Sequence, residues 1–141
     1  MAGYSGTPLS RKLGINEGAR VALVRAPDGF DETLDPLPDG VRLRTQARAT
    51  QDVVVFFATR RAELERRFDS LARAIAPNGG LWIAWPKRTA CVATDLREGI
   101  VRETGLAHGL VDNKVCAVDD VWSGLRFVYR VKDRAARNGK R

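Results

Sequence analysis

Three short clusters hold the side chains best suited to chemistry. In Trp85-Pro86-Lys87-Arg88 two cations follow a flat aromatic. An ammonium beside a guanidinium can grip a phosphate or carboxylate, and an indole can supply an apolar wall. In Asp112-Asn113-Lys114 a carboxylate and an ammonium lie two residues apart, a pair able to bind a polar ligand or pass a proton. Trp122-Ser123-Gly124 sets an aromatic in a polar connection, where such residues mark contact surfaces. Asp28 and Thr59 complete the set. Both follow apolar runs that read as strands, and ligands of open α/β sheets bind outside the carboxyl ends of parallel strands. Each cluster also has a plainer reading. Trp85 would cap the core beside two hydrated cations, Asp112 and Asn113 would fix a loop by Asx-turn bonds, and Trp122 would fold back onto a sheet edge.

Nothing in the chain assembles a nucleophile, a base and an oxyanion donor, so no catalytic residue is assigned. His108, the only histidine, has no partner at the spacing of a helical metal site. Cys91 and Cys116 show neither CxxC nor zinc spacing and read as two reduced thiols, Cys116 within a core strand. Asp119-Asp120 reads as turn chemistry, and P-loop and nucleophile-elbow patterns are absent. The expectation is a binding domain with no metal and no cofactor, leaning away from an enzyme.

The elements that must position these residues centre on Asp52–Lys87. Val53-Val54-Val55-Phe56-Phe57 and Leu81-Trp82-Ile83-Ala84-Trp85 are continuous apolar runs, the pattern of strands buried on both faces. Between them Leu64, Phe68, Leu71 and Ile75 recur at helical spacing, with Glu63–Arg67 and Asp69–Arg73 as i,i+4 pairs on the wet face. Thr59 is the expected N-cap, and Pro77-Asn78-Gly79-Gly80 the turn that ends the helix. This is a βαβ unit with a parallel strand pair and a right-handed crossover.

Before it come a short helix over 7–13 with Thr7 as cap and Pro8 as first residue, a strand Arg20–Val24, a Pro27-Asp28-Gly29 turn and a helical segment carrying Phe30 and Leu34. Val41-Arg42-Leu43-Arg44 alternates and reads as an exposed edge strand blunted by its arginines. After it, Asp95-Leu96-Arg97-Glu98 opens a helix in capping-box style, which Gly105 stops. Val115–Val118 and the alternating Leu125–Val131 form a closing antiparallel hairpin. The fold class is α/β: one three-layer Rossmann-like domain over 1–131, a mostly parallel sheet of about six strands closed by a C-terminal antiparallel hairpin, then a basic tail over 132–141.

With 141 residues, 44% hydrophobic and 29% charged, the chain has the size and composition of one ordinary globular domain rather than a disordered one. No apolar run reaches the ~18–20 residues of a membrane span, and the first residues carry no secretory pattern, so a cytoplasmic location is expected. The net charge is +7, and residues 132–141, with five basic groups and one acid, hold more than half of that excess. The tail and the Arg42, Arg44, Arg48 edge form a possible handle for nucleic acid, although the tail lacks aromatics for base stacking. A frayed terminus explains the tail equally simply. The partners expected are a small anionic ligand or a protein, with nucleic acid as the alternative and no membrane.

The element order resembles a class I methyltransferase-like sheet with one strand–helix unit removed. That resemblance implies a glycine-rich, acidic loop after the first strand to hold S-adenosylmethionine. Here the stretch is Ala22-Leu23-Val24-Arg25-Ala26-Pro27-Asp28-Gly29-Phe30, with one glycine and a proline that lacks a donor. Ala58-Thr59-Arg60-Arg61 stands where the family carries an Asn-Pro-Pro-type motif. The chain also resembles a bacterial family designated domain of unknown function 3052. Gly3-Tyr4-Ser5-Gly6-Thr7-Pro8-Leu9, Lys12-Leu13-Gly14-Ile15, Leu81–Lys87, Val92-Ala93-Thr94-Asp95-Leu96, Val111–Val118 and Trp122-Ser123-Gly124-Leu125 carry that likeness. It implies a fold but no activity. A divergent S-adenosylmethionine-dependent or other enzyme is the remaining alternative.

Overall fold

In the computed structural model, which describes residues 7–48 and 50–134, six strands form one sheet in the order β2-β1-β3-β4-β6-β5. The strands are β1 (Arg20–Val24), β2 (Arg42–Arg44), β3 (Gln51–Phe57), β4 (Ile75–Pro86), β5 (Leu110–Ala117) and β6 (Trp122–Tyr129). The first four run parallel, and β6 is antiparallel to both β4 and β5. The expected α/β architecture is present, including the mostly parallel sheet and the antiparallel hairpin. The hairpin does not extend the sheet in chain order, because β6 enters between β4 and β5.

The apolar runs are buried on both faces, as their composition requires. Val54, Phe56, Leu81, Ile83 and Trp85 face α3 (Arg61–Arg73) and α4 (Glu98–Ala107), meeting Leu64, Phe68, Leu71 and Val101. Val53, Val55, Phe57, Trp82 and Ala84 face the other way, onto Leu13, Phe30 and Leu34 beside the short helices α1 (Leu9–Lys12) and α2 (Phe30–Thr33). Helices thus cover both faces of one sheet, giving three layers.

Several local expectations give way to long-range partners. The cap of α3 is not Thr59: Arg60 holds the N-cap position without a side-chain bond, and Asp95 Oδ1 accepts the Arg61 N–H at 2.7 Å. With Asp95 engaged there, α4 begins at Glu98 rather than at Asp95. Gly105 does not stop α4. It lies inside it, where a Cβ would fall 2.0 Å from the Phe127 ring, so glycine permits the helix to approach β6. Pro77-Asn78-Gly79-Gly80 is a bulge within β4 rather than a turn, since the register moves from Gln51↔Ile75 to Val53↔Gly80. Pro8 is the N-cap of α1 rather than its first residue. Glu63 pairs with Arg25 at 2.9 Å and Asp69 with His108 at 2.7 Å, instead of bonding along α3.

β6 ends at Tyr129, not Val131, which is exposed. Residues 131–134 turn helically, with Arg134 Nε donating to the Tyr129 carbonyl at 3.0 Å. The rest of the basic tail lies outside the described residues, as does most of the Gly3–Leu9 string. Among the described residues no helix is long and apolar enough to cross a membrane.

Candidate functional site

The carboxyl ends of β1, β3 and β4 are drawn together by the loops that leave them. After β4 the chain passes Lys87, makes a single 3-10 turn over Arg88–Ala90, and reverses at Cys91 in a left-handed conformation, φ 57°. It then returns across α3. Thr94 Oγ1 donates to the Thr59 carbonyl at 2.7 Å and accepts the Leu96 N–H at 3.0 Å, while Asp95 caps Arg61. The Lys87 N–H is held by the Val121 carbonyl at 2.7 Å. Between these ties lies a groove of about 700 Å³ lined by Lys87, Arg88, Val92, Thr94, Asp95 and Arg97. Three cations face it. Its one carboxylate, Asp95, already accepts a backbone N–H. Such a surface suits a negatively charged ligand, with Arg88 and Arg97 able to meet oxygens in bidentate fashion.

Of the residues expected from sequence, Lys87 and Arg88 share this groove, and Thr59 supports its floor through its carbonyl. Trp85 does not line it. Its side chain is buried against α3 and α4, so it caps the core. Asp28 lies in a second groove of about 540 Å³ between the carboxyl ends of β1 and β2, with Arg25, Asp31, Arg44 and Thr45. Trp122 folds back, its ring edge-on to Phe57 with centroids 5.1 Å apart.

Asp112 and Lys114 do not meet. A bulge between them pairs Asp112 with Phe127 and Lys114 with Arg126, successive residues of β6, and so sends the two side chains to opposite faces. Asp112 takes Arg102 of α4 at 3.0 Å, and Lys114 Nζ donates to the Lys12 carbonyl of α1 at 2.8 Å. Asn113, exposed, is the residue at the bulge. Nor is Cys116 in a central strand: β5 is a sheet edge, although burial still pushes its thiol pKa upward. Among the described residues no three His, Cys, Asp or Glu side chains gather as a metal site.

Arg97, Thr94, Asp95, Arg25 and Glu63 escaped the sequence reading. Arg25 had a signal, as the first residue after β1. Glu63 stands in the first turn of α3, and Thr94, Asp95 and Arg97 are brought in by the loop after β4, whose path no local pattern reveals.

No family profile and no curated protein matches the chain, so the resemblance to domain of unknown function 3052 gains no support there. Solved structures do match. DhpI in complex with SAH superposes with a TM-score of 0.63 at 16% identity, over 93% of this chain and 86% of that one. A SAM dependent methyltransferase from Aquifex aeolicus gives 0.55 at 16% identity, over 83% and 85%. The mitomycin 7-O-methyltransferase MmcR gives 0.62 at 11%, over 79% of this chain, which spans only 49% of its length. The fold is methyltransferase-like.

A methyltransferase-like fold implies S-adenosylmethionine, whose sulfonium and ammonium call for carboxylates and close backbone approach. The strand order reverses between β1 and β3, which is where such sheets hold their ligands. Here Arg25 sits at that point in a left-handed conformation, φ 60°, and its guanidinium bridges to Glu63 of α3 at 2.9 Å. At the end of β2, where a dinucleotide-binding sheet places a carboxylate for ribose hydroxyls, stands Arg44. At the switch point itself a guanidinium, paired with Glu63, stands where such a cofactor calls for a free carboxylate.

Proposed function

We propose that this methyltransferase-like domain is a binding protein for an anionic ligand, taken up at the carboxyl edge by Lys87, Arg88 and Arg97. The observation that carries this reading is the charge of the groove after β4: three cations against one carboxylate that is engaged elsewhere. Thr94, its hydroxyl bonded to the Thr59 carbonyl and the Leu96 N–H, keeps the wall in place. The ligand is a metabolite bearing a phosphate or carboxylate, or an acidic segment of a protein partner.

The test is native mass spectrometry of the chain purified gently from its own host. A co-purifying anionic mass that disappears in the Lys87→Ala, Arg88→Ala double variant supports the reading. A co-purifying mass retained by that variant removes these residues from the site.

A second reading, a divergent S-adenosylmethionine-dependent enzyme, is favoured by the fold shared with the SAH complex of DhpI and the SAM dependent methyltransferase from Aquifex aeolicus. Its cofactor would have to lie between β1 and β2, where Asp28 and Asp31 supply carboxylates beside Arg44. Calorimetric titration with S-adenosylmethionine separates the two: saturable binding lost in Asp28→Asn favours the enzyme. Nucleic-acid binding through Arg42, Arg44 and Arg48 predicts affinity that falls steeply with salt, which the anion groove at Lys87 does not require.

A further inference from the structure

We propose that Arg126 heads a second anion site, at the amino-terminal end of the sheet, for a small oxyanion: a carboxylate or a phosphate group. It stands apart from the Lys87 groove and does not depend on it.

Arg126 lies on β6 opposite Trp82, and its side chain reaches over β4 at Gly80. A Cβ on Gly80 would fall 2.4 Å from Arg126 Nε, and one on Gly79 would fall 2.8 Å from the Asp52 carbonyl. Glycine weakens a strand interior, so two in succession in β4 mark a place where something approaches closely. What approaches Gly80 is the guanidinium.

The guanidinium is half-buried, yet among the described residues it has no hydrogen bond and no ion pair. Burial and the charge of Arg134 both disfavour its protonated form, and an arginine nonetheless stays charged. A desolvated cation without a counter-charge is costly, and an incoming anion removes that cost.

The space for one is present. Arg126 lines a pocket of about 300 Å³ with Asn16, Glu17, Asp52, Asn78 and Gly79. Asn16 and Asn78 offer side-chain amides as further donors. Asp52 does not compete for Arg126, because its two oxygens take the Arg20 backbone N–H at 2.9 Å, Nε at 3.2 Å and the terminal nitrogen at 3.0 Å. Glu17, exposed at the rim, restricts the site to a ligand of low charge.

The test follows arginine Nε–Hε and asparagine amide signals of the full ¹⁵N-labelled chain by NMR, during titration with inorganic phosphate and, separately, malonate at constant ionic strength. The expected result is a saturable shift at Arg126, accompanied by Asn78 and with a midpoint separate from any shift at Arg88 and Arg97. The probe that saturates identifies the phosphate or the carboxylate as the natural group. Arg126→Lys keeps the charge and loses the fork, and should weaken binding by about tenfold or more. Lys87→Ala with Arg88→Ala should leave it unchanged. Glu17→Gln, which leaves the guanidinium alone, should tighten it. A non-saturating drift shared by all arginines, or equal affinity in Arg126→Lys, overturns the proposal.

Discussion

The two faces of the sheet are covered by different means. On one, α3 and α4 lay Leu64, Phe68, Leu71 and Val101 across the strands over a wide apolar area, and Arg25–Glu63, Arg102–Asp112 and a bond from the Tyr129 hydroxyl to the Ala72 carbonyl add polar ties. On the other, α1 and α2 are single turns of four residues each, too short to be helical without support. Beside their apolar contacts, polar bonds fasten the end of α1 to the sheet and α1 to the segment that follows α2. Trp82 Nε1 donates to the Leu13 carbonyl at 3.0 Å, Lys114 Nζ to the Lys12 carbonyl at 2.8 Å, and Ser10 Oγ to the Pro36 carbonyl at 3.3 Å. The long helices bring a continuous apolar stripe to the sheet, whereas α1, a single turn, also takes donors from β4 and β5 at its carbonyl end.

That contrast can be broken from either side. The largest effect is expected from Phe68→Ala, which empties the centre of the face under α3 and α4. Phe68 is fully buried and edge-on to Phe127, so the loss should be about 3–5 kcal/mol in urea denaturation. A smaller value would mean α3 resettles onto the sheet. Gly105→Ala comes next: its methyl would strike the Phe127 ring, and α4 must lift or the ring must turn, costing about 1–3 kcal/mol. Hydrogen exchange should show the loosening confined to α4 and β6.

On the face under α1 and α2, Trp82→Phe removes the indole donor and leaves the buried Leu13 carbonyl unpaired. About 1–3 kcal/mol should be lost, with α1 amides exchanging faster while α3 stays protected. Uniform loosening of both faces would erase the distinction. The smallest effect belongs to the Arg20–Asp52 pair, which joins the amino ends of β1 and β3. The hydrogen bond from Arg20 holds the Asp52 carboxyl below its ordinary value. Its contribution is therefore complete above that ordinary value and is lost as pH falls through the lowered one. Both partners are over a third exposed, so Asp52→Asn should cost no more than about 1 kcal/mol at pH 7. The difference from the parent should shrink as pH falls through that lowered value.

The same contrast explains what could be read in advance. β3, α3 and the apolar half of β4 were legible because burial on both faces and helical periodicity are written locally in Val53–Phe57, Leu64–Leu71 and Leu81–Trp85. Asp95 was misread because a carboxylate three residues before Glu98 looks like a cap for its own helix, and it serves α3 instead. Glu63 and Asp69 have good partners one turn along α3, yet Arg25 and His108 reach them from other elements. In an unbroken strand Asp112 and Lys114 would share a face; one extra residue separates them, and nothing in Asp-Asn-Lys signals it. Of the carboxyl-edge groove, Lys87 and Arg88 were accessible from their place after a strand. Thr94 and Arg97 were not, since their position depends on a reversal at Cys91.

The place of β6 in the sheet also sets a timetable. β4 and β5 are not neighbours; a gap one strand wide separates them, and Trp122–Tyr129 fills it last. During synthesis β3, α3 and β4 can assemble as soon as they emerge. The far side of β4, with Leu81, Ile83 and Trp85, must then wait some forty residues (β6 registers Leu81 with Phe127) before its backbone is paired. An unpaired apolar strand edge is a template for wrong partners. A nascent chain halted at Ala117 would be more prone to aggregate than one reaching Tyr129, because the strand that seals the core is also the one that hides its stickiest border.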